Sequence, residues 1–274
     1  MTIGVEMESG INYPRWEEEH KSILETFCDK NVLVLFSGGK DSSGAMDLIF
    51  RAGKRFGFDF KAHAGVYPVH RYPDEEKKRI ESYWNQKGVE IQWHDLGETD
   101  EYIKNEVNPC LPCQKLRKRM LKTILTDLID DWESLVLVTS YSLWDIASYS
   151  LEHIVNDFFS NSVSSENNKR FMETAQRFYP MLKMKEGYTI FRPLIKYNSD
   201  DILRVIKEAG IPTLSAPCKF KEFRPKRILE RYYQKTGIHF DYDMVFDFAK
   251  RSLNLPDIST YTSIDRDEYL SNLF

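Results

Sequence analysis

The stretch 31-NVLVLFSGGKDSSG-44 decides the fold. After Asn31 its first residues are an unbroken apolar run, which reads as a strand buried on both faces. Ser37-Gly38-Gly39 breaks that strand, and the residues that follow, through AMDLIFRAGKRF, read as a helix. Two adjacent glycines let backbone amides approach an anion closely, and a helix N-terminus adds its dipole. Lys40 supplies a countercharge, and Ser37, Ser42 and Ser43 supply hydroxyls. The G-x-x-x-x-G-K-[ST] spacing of the commonest phosphate loop is absent. A plain strand–turn–helix connection remains the alternative, since Ser-Gly-Gly alone would make that turn.

Working outward, strand and helix patterns alternate. Residues 14–30 form an amphipathic helix pattern on Trp16, Ile23, Leu24 and Phe27. Strands are expected at 60–69, 89–96, 134–141 and 188–194. Helices are expected at 74–88, 114–131, 143–160 and 198–210, the last capped by Asn198 or Ser199. Such alternation predicts an α/β protein, a doubly wound parallel sheet covered on both faces. From about 218 to 251 the chain becomes basic, aromatic and helical, so three segments are expected. These are an N-terminal helical segment (1–30), a nucleotide-binding domain (31–217) and a helical C-terminal extension (218–274). The extension either stacks a base and contacts a nucleic-acid backbone or, the favoured reading, uses Phe220, Phe223, Ile228, Leu229 and Tyr232 as core contacts of a helix.

Of the 274 residues, 42% are hydrophobic and 14% aromatic, enough for a large core, which excludes a disordered chain. No apolar run approaches the ~18 residues of a membrane span, and the acidic N-terminus is not a secretory signal. A cytoplasmic location with no membrane partner is expected. The net charge of −4 argues against a generally basic nucleic-acid binder. Yet residues 114–122 carry +5 (Lys115, Arg117, Lys118, Arg119, Lys122) and residues 219–227 carry +4, leaving −13 on the rest. Each basic window directly follows a cysteine site. Two such windows point to an anionic partner beside those cysteines, with Arg117, Arg119, Arg224, Lys226 and Arg227 as candidate contacts.

The chain has four cysteines, Cys28, Cys110, Cys113 and Cys218, too few for a disulfide scaffold. Cys110-Leu111-Pro112-Cys113 lies where a strand gives way to the basic helix, and Cys218 follows about a hundred residues later. Three thiolates can hold an iron–sulfur cluster and leave one iron open. Zinc with a fourth ligand, from Cys28 or a histidine, and a reactive dithiol are the competing readings. Cys28 itself is expected to be a buried packing residue.

Ser37-Gly38-Gly39-Lys40-Asp41-Ser42 resembles the signature of the PP-loop ATP pyrophosphatases, with their adenine nucleotide alpha hydrolase-like fold. These enzymes cleave ATP between the α- and β-phosphates and adenylate a substrate oxygen. The resemblance implies that Ser37, Gly38, Gly39, Lys40, Asp41 and Ser42 contact ATP, with Mg²⁺ assisting and Lys40 and Asp41 acting in catalysis. The cysteines, with Phe191-Arg192-Pro193-Leu194, Gly210-Ile211-Pro212 and then Cys218, resemble the cluster-dependent tRNA 2-thiolation branch, the two-thiocytidine and two-thiouridine synthetases. In that branch the equivalents of Cys110, Cys113 and Cys218 bind a 4Fe–4S cluster. The resemblance covers about residues 30–220 and implies tRNA as substrate and a sulfur donor protein or sulfide; it also admits a homodimer.

One departure stands out. Where that family carries Gly-His-(His/Asn)-x-Asp-Asp, this chain reads Ser140-Tyr141-Ser142-Leu143-Trp144-Asp145. Asp145 aligns with the second acid as a catalytic or Mg²⁺-orienting carboxylate, or else as an ordinary helix N-terminal aspartate. The expected activity is ATP-dependent sulfur transfer to a carbonyl oxygen, on a tRNA base. The other readings are activation of a small metabolite or DNA backbone, a zinc-stabilised ligase, and a non-catalytic nucleotide-binding adaptor.

Overall fold

A computed structural model describes residues 10–66, 73–95, 101–159, 165–215 and 218–272. The elements run α1 (Tyr13–Leu24), β1 (Asn31–Phe36), α2 (Lys40–Phe56), β2 (Phe60–Val66), α3 (Asp74–Asn85) and β3 (Ile91–Asp95). They continue with α4 (Glu101–Lys104), α5 (Cys110–Leu128), β4 (Leu135–Val138), α6 (Leu143–Phe159), α7 (Ser165–Ala175), β5 (Met181–Lys183) and β6 (Thr189–Phe191). The chain closes with α8 (Ser199–Glu208), α9 (Pro225–Thr236), α10 (Tyr242–Ser252), α11 (Ser259–Thr262) and α12 (Arg266–Asn272).

The sheet has the order β3-β2-β1-β4-β6-β5. Five strands run parallel and β5 pairs antiparallel with β6. This is the doubly wound sheet expected from the alternation. Strand β1 sits at its centre, with Val32 opposite Phe60 on β2 and Val136 on β4. The two-residue period of a strand sends Val32, Val34 and Phe36 to one face and Leu33 to the other, each into its own apolar layer. Helices α1, α2, α3 and α8 contribute to the first layer. The second receives Leu125 of α5, Ile146 of α6 and, from the C-terminal helices, Ala249, Tyr261, Tyr269 and Leu270.

Local signals explain several boundaries. Helix α1 starts behind Asn12, whose side chain accepts from the Arg15 amide, and it buries Trp16, whose indole N–H donates to the Pro193 carbonyl at 2.9 Å. Helix α8 carries a capping box between Asn198 and Asp201, the cap expected from the sequence. Asn198 also accepts the Trp144 indole N–H at 2.9 Å, so one buried amide ties α8 to α6.

The expected elements differ from the structure in a few places. The helix predicted from residue 114 begins at Cys110, because Pro109 and Pro112 both fit a first turn, where no amide partner is required. The three-residue strand β5 and helix α7 were not expected. Residues 67–69, 96 and 160 of the predicted elements lie outside the described residues. Cys28 is exposed rather than buried: it caps the short 3₁₀ turn Glu25–Phe27 and its thiol donates to the Phe56 carbonyl. On α9, Phe223 just before it and Ile228 and Tyr232 within it are exposed, contrary to the core role expected of them. The helix turns Lys226, Glu230 and Tyr233 inward instead, at i, i+4 and i+7. Among the described residues no helix is long and apolar enough to cross a membrane.

Candidate active site

Strand order reverses beside β1: β2 and β3 lie on one side and β4 on the other. Ligands of open α/β sheets bind in the crevice at the carboxyl ends of strands at such a point. The Ser37–Ser42 loop leaves β1 there. Gly38 adopts φ +70°, which L side chains rarely take, and Gly39 caps α2 in an extended conformation. The Ser37 amide donates to Ser42 Oγ at 3.1 Å, and Ser42 Oγ–H donates to the Gly39 carbonyl at 3.0 Å, so the turn is wound around one hydroxyl. Lys40 Nζ lies 2.6 Å from Asp41 Oδ1. The pair sets a cation that suits a phosphate beside an oxygen donor that suits Mg²⁺.

The loop is clamped from outside. The Leu214 amide donates to the Gly38 carbonyl at 2.8 Å, Arg79 donates to the Thr213 carbonyl, and Ser215 bonds to Glu76 of α3. A Cβ on Gly38 would sit 2.5 Å from Leu214 Cδ1. Gly38→Ala therefore combines a left-handed backbone, costing about 1–2 kcal/mol, with displacement of this clamp. We expect lower thermal stability and weaker binding of an ATP analogue by equilibrium titration. Adding Leu214→Ala restores the space but not the backbone angle, so the double variant recovers only part of the loss.

Asp145 lies in the first turn of α6 and is 2% exposed. Its Oδ2 accepts both the Ser142 amide and the Ser142 hydroxyl at 2.9 Å, while Lys226 of α9 donates to Oδ1. Burial works to raise the carboxyl's pKa, but Lys226, the Ser142 amide and Lys40 outweigh it and hold it below the ordinary carboxylate range. Burial likewise opposes the charge on Lys226, and Asp145, Glu230 and Asp41 overcome it, pushing that pKa up. Asp145 thus accepts from Ser142 at the start of α6 and is joined to Lys226 of α9.

The crevice opens into a cavity of about 260 Å³ lined from β1 (Leu35, Phe36), the loop (Ser37), β2 (His63, Gly65), α5 (Arg117, Leu121) and the segment after β4 (Thr139 to Tyr141). Deeper lining comes from Gln176, Arg177, Arg192 and Tyr269. His63 is 4% exposed and its Nδ1 lies 2.9 Å from His94 Nε2, with the rings stacked. Burial, the neighbouring His94 and Lys61 push His63 down to about 4, so it is neutral near pH 7.

The cysteines meet at the N-terminus of α5. Cys110 and Cys113 are buried, and Cys113 packs with Ile103, Cys218 and Phe220. The Cys110 thiol points to the Phe220 carbonyl at 3.7 Å. Burial raises the Cys113 pKa, and so do its neighbours Cys218 and Cys110, while Arg117 and Arg224 work against them. Among the described residues no three His, Cys, Asp or Glu side chains close around a point as a single metal ion requires. Cys110, Cys113 and Cys218 are the sulfurs brought near one another here, and Cys28 lies apart at the Phe56 carbonyl.

The remaining candidates divide. Arg117 lines the cavity one turn beyond Cys113, and Arg224 is near enough to act on that thiol. Arg119 is exposed on α5. Lys226 is taken by Asp145, and Arg227 bonds to Glu230 at 2.8 Å. Sequence reasoning passed over His63, Thr139, Arg177 and, except as a landmark, Arg192. A histidine inside FKAHAGV and an arginine inside the apolar run YTIFRPL were the available signals; Arg177 had none.

Among solved structures, the U34-tRNA thiolase NcsA from Methanococcus maripaludis, determined with its [4Fe-4S] cluster, superposes with a TM-score of 0.62. The match covers 89% of this chain and 81% of that one at 18% identity, so the likeness is one of fold. NMN synthetase from Francisella tularensis aligns over 88% of this chain and 87% of its own at 12% identity and a TM-score of 0.42. In sequence, the uncharacterized protein MJ1016 of Methanocaldococcus jannaschii is 27% identical over 201 residues. That match covers 69% of this chain and 63% of MJ1016, so the chain spans less than two thirds of that relative. No protein-family profile matches the chain.

Proposed function

We propose that the protein is an ATP-dependent sulfur transferase that adenylates a carbonyl oxygen, on a tRNA base, and replaces it with sulfur. The observation that carries the reading is the shared helix: α5 begins with Cys110 and Cys113 and, one turn on, sends Arg117 into the cavity that starts at the Ser37–Ser42 loop. The fold shared with a tRNA thiolase supports it.

In this reading the Gly38–Gly39 amides, the α2 N-terminus, Lys40 and the Ser37 and Ser42 hydroxyls hold the β- and γ-phosphates. Asp41 takes Mg²⁺. The substrate oxygen attacks the α-phosphorus, the bond to the β-phosphate oxygen breaks, and pyrophosphate leaves. A sulfide, supplied free or by a donor protein, attacks the activated carbon; the C–O bond breaks and AMP departs. Cys110, Cys113 and Cys218 would hold a 4Fe–4S cluster, whose open iron supplies a binding place for that sulfide. Arg117 and Arg224 favour thiolates at that site and balance the anionic substrate. Asp145 acts by holding Lys226 against the loop, since both its oxygens are engaged.

The test is iron and acid-labile sulfide content after anaerobic purification, followed by analysis of tRNA nucleosides from cells with and without the gene. About four irons and four sulfides per chain, and loss of one thionucleoside with the gene, are expected. Lys40→Ala should abolish pyrophosphate release and leave iron content unchanged. Stoichiometric zinc without sulfide would end the sulfur-transfer reading.

A further inference from the structure

The floor of the cavity carries charge that the loop and the cysteines do not explain. Arg192 is 2% exposed, as deeply buried as the core tyrosines. Its Nη1 donates to the Tyr179 carbonyl at 2.8 Å and its Nη2 to Gln176 Oε1 at 2.7 Å, while its Nε is buried with no hydrogen-bond partner. Arg177 donates from Nη1 to the Tyr149 hydroxyl at 2.8 Å and lies over the rings of Tyr141 and Tyr149 at 4.8 and 5.1 Å. Its effect on Arg192 is repulsive: burial first, and then the Arg177 charge, lower the Arg192 pKa. Thr139 Oγ1, 6% exposed at the end of β4, is likewise buried without a partner.

All three residues line the same cavity as Arg117, and no Asp or Glu lies among the described lining residues. Asp145 is close enough to favour the Arg177 charge, but both its oxygens are engaged by Ser142 and Lys226. Of the two guanidiniums it is Arg192 whose charge the wall disfavours, burial being the first cause, and a buried charge is costly unless an anion completes it. A planar guanidinium also matches an oxyanion better than a neutral carbonyl or base edge does.

We propose that Arg177, Arg192 and Thr139 form an oxyanion subsite that takes a phosphate or carboxylate group of the acceptor, separate from the phosphates of ATP. The inference rests on the ATP-dependent reading above and narrows it: the acceptor carries an anionic group close to the oxygen that is activated. A nucleotide phosphate and the phosphate or carboxylate of a free metabolite share that chemistry. Thr139 Oγ–H and the Arg192 Nε–H are the donors left open for the ligand.

The experiment is titration of inorganic phosphate, and separately of succinate, into the protein already saturated with a non-hydrolysable ATP analogue. Phosphate or succinate should bind to that complex, and the preferred probe tells a phosphate-bearing acceptor from a carboxylate-bearing one. Arg177→Met, a partly exposed position, should weaken the probe at least about tenfold, as loss of a charge-assisted hydrogen bond does, and leave analogue affinity unchanged. Thr139→Val tests the same subsite without changing charge, should Arg177→Met fold poorly. Lys40→Ala should do the reverse, weakening the analogue and sparing the probe. Competition between probe and analogue for one site, no probe binding at millimolar concentration, or probe affinity indifferent to both subsite variants would overturn the proposal. Failure of the analogue to bind the wild type would instead overturn the ATP reading.

Discussion

Lys226→Met destabilises the protein by about 3–5 kcal/mol, the range for breaking a buried ion pair, read as a lower urea midpoint at unchanged slope. Asp145 has nowhere to send its charge: it is 2% exposed, and Ser142 occupies only one of its oxygens. With the lysine gone, Oδ1 loses its donor, and Glu230, whose Oε1 lies 3.5 Å from Lys226 Nζ, loses the same cation. The pH dependence gives a second readout. In the wild type the Asp145 pKa is lowered, so its stabilisation is complete above the unfolded value of about 3.9 and is lost as pH falls through the folded value. Lys226 is raised, so its share is complete below about 10.4 and is lost as pH rises through its folded value. The pair is therefore silent across neutral pH. In Lys226→Met, uncompensated burial lifts the Asp145 pKa above its unfolded value, and the variant gains stability as the solution is acidified toward it. Asp145→Asn combined with Lys226→Met removes both charges and recovers much of the loss. A single variant with wild-type stability at neutral pH would mean that the pair contributes nothing to holding α9.

That pair also marks the limit of what the sequence makes legible. The run from Asn31 to Gly44 was readable because burial on both faces, a glycine break and a helix start are local features, and the structure places them as read. The parallel sheet followed from alternation, since parallel strands need crossovers that only helices of such length supply. The proximity of three cysteines could be expected only through resemblance, because nothing local brings residue 218 back to residue 113. What escaped is of the same non-local kind. Lys226 reads in sequence as one charge in a basic run, and only the phase of α9 against α6 makes it the partner of Asp145. Strand β5 is three residues long, too short for a period to register, and it exists because β6 offers it an edge. Arg192 looked like a family landmark, and its buried, partly unsatisfied guanidinium is visible only when Gln176, Tyr179 and Arg177 arrive around it.

Cys218→Ala should abolish iron binding while leaving the fold and the nucleotide site intact. Cys110 and Cys113 sit one turn apart on α5 and provide two sulfurs; Cys218 reaches them from the segment that clamps Gly38, with Phe220 completing the apolar cover. Cys28, the remaining cysteine, is engaged at the Phe56 carbonyl, so two thiolates remain, too few to hold a cubane. After anaerobic reconstitution, iron should fall from about four per chain to near background. Thermal stability should change little, because Cys218 is only half-buried. Cys28→Ala serves as the control, since that thiol is exposed against the Phe56 carbonyl and should leave iron content untouched. Loading should also depend on pH with a defined sign. Ligation requires thiolates and releases their protons, and burial holds the Cys113 pKa above its ordinary value, so reconstitution should be faster as pH is raised. Arg117→Gln, by removing a charge that favours the Cys113 thiolate, should shift that dependence to higher pH. Iron retained in Cys218→Ala but lost in Cys28→Ala would place the metal elsewhere and dissolve the link between the cysteine cluster and the cavity.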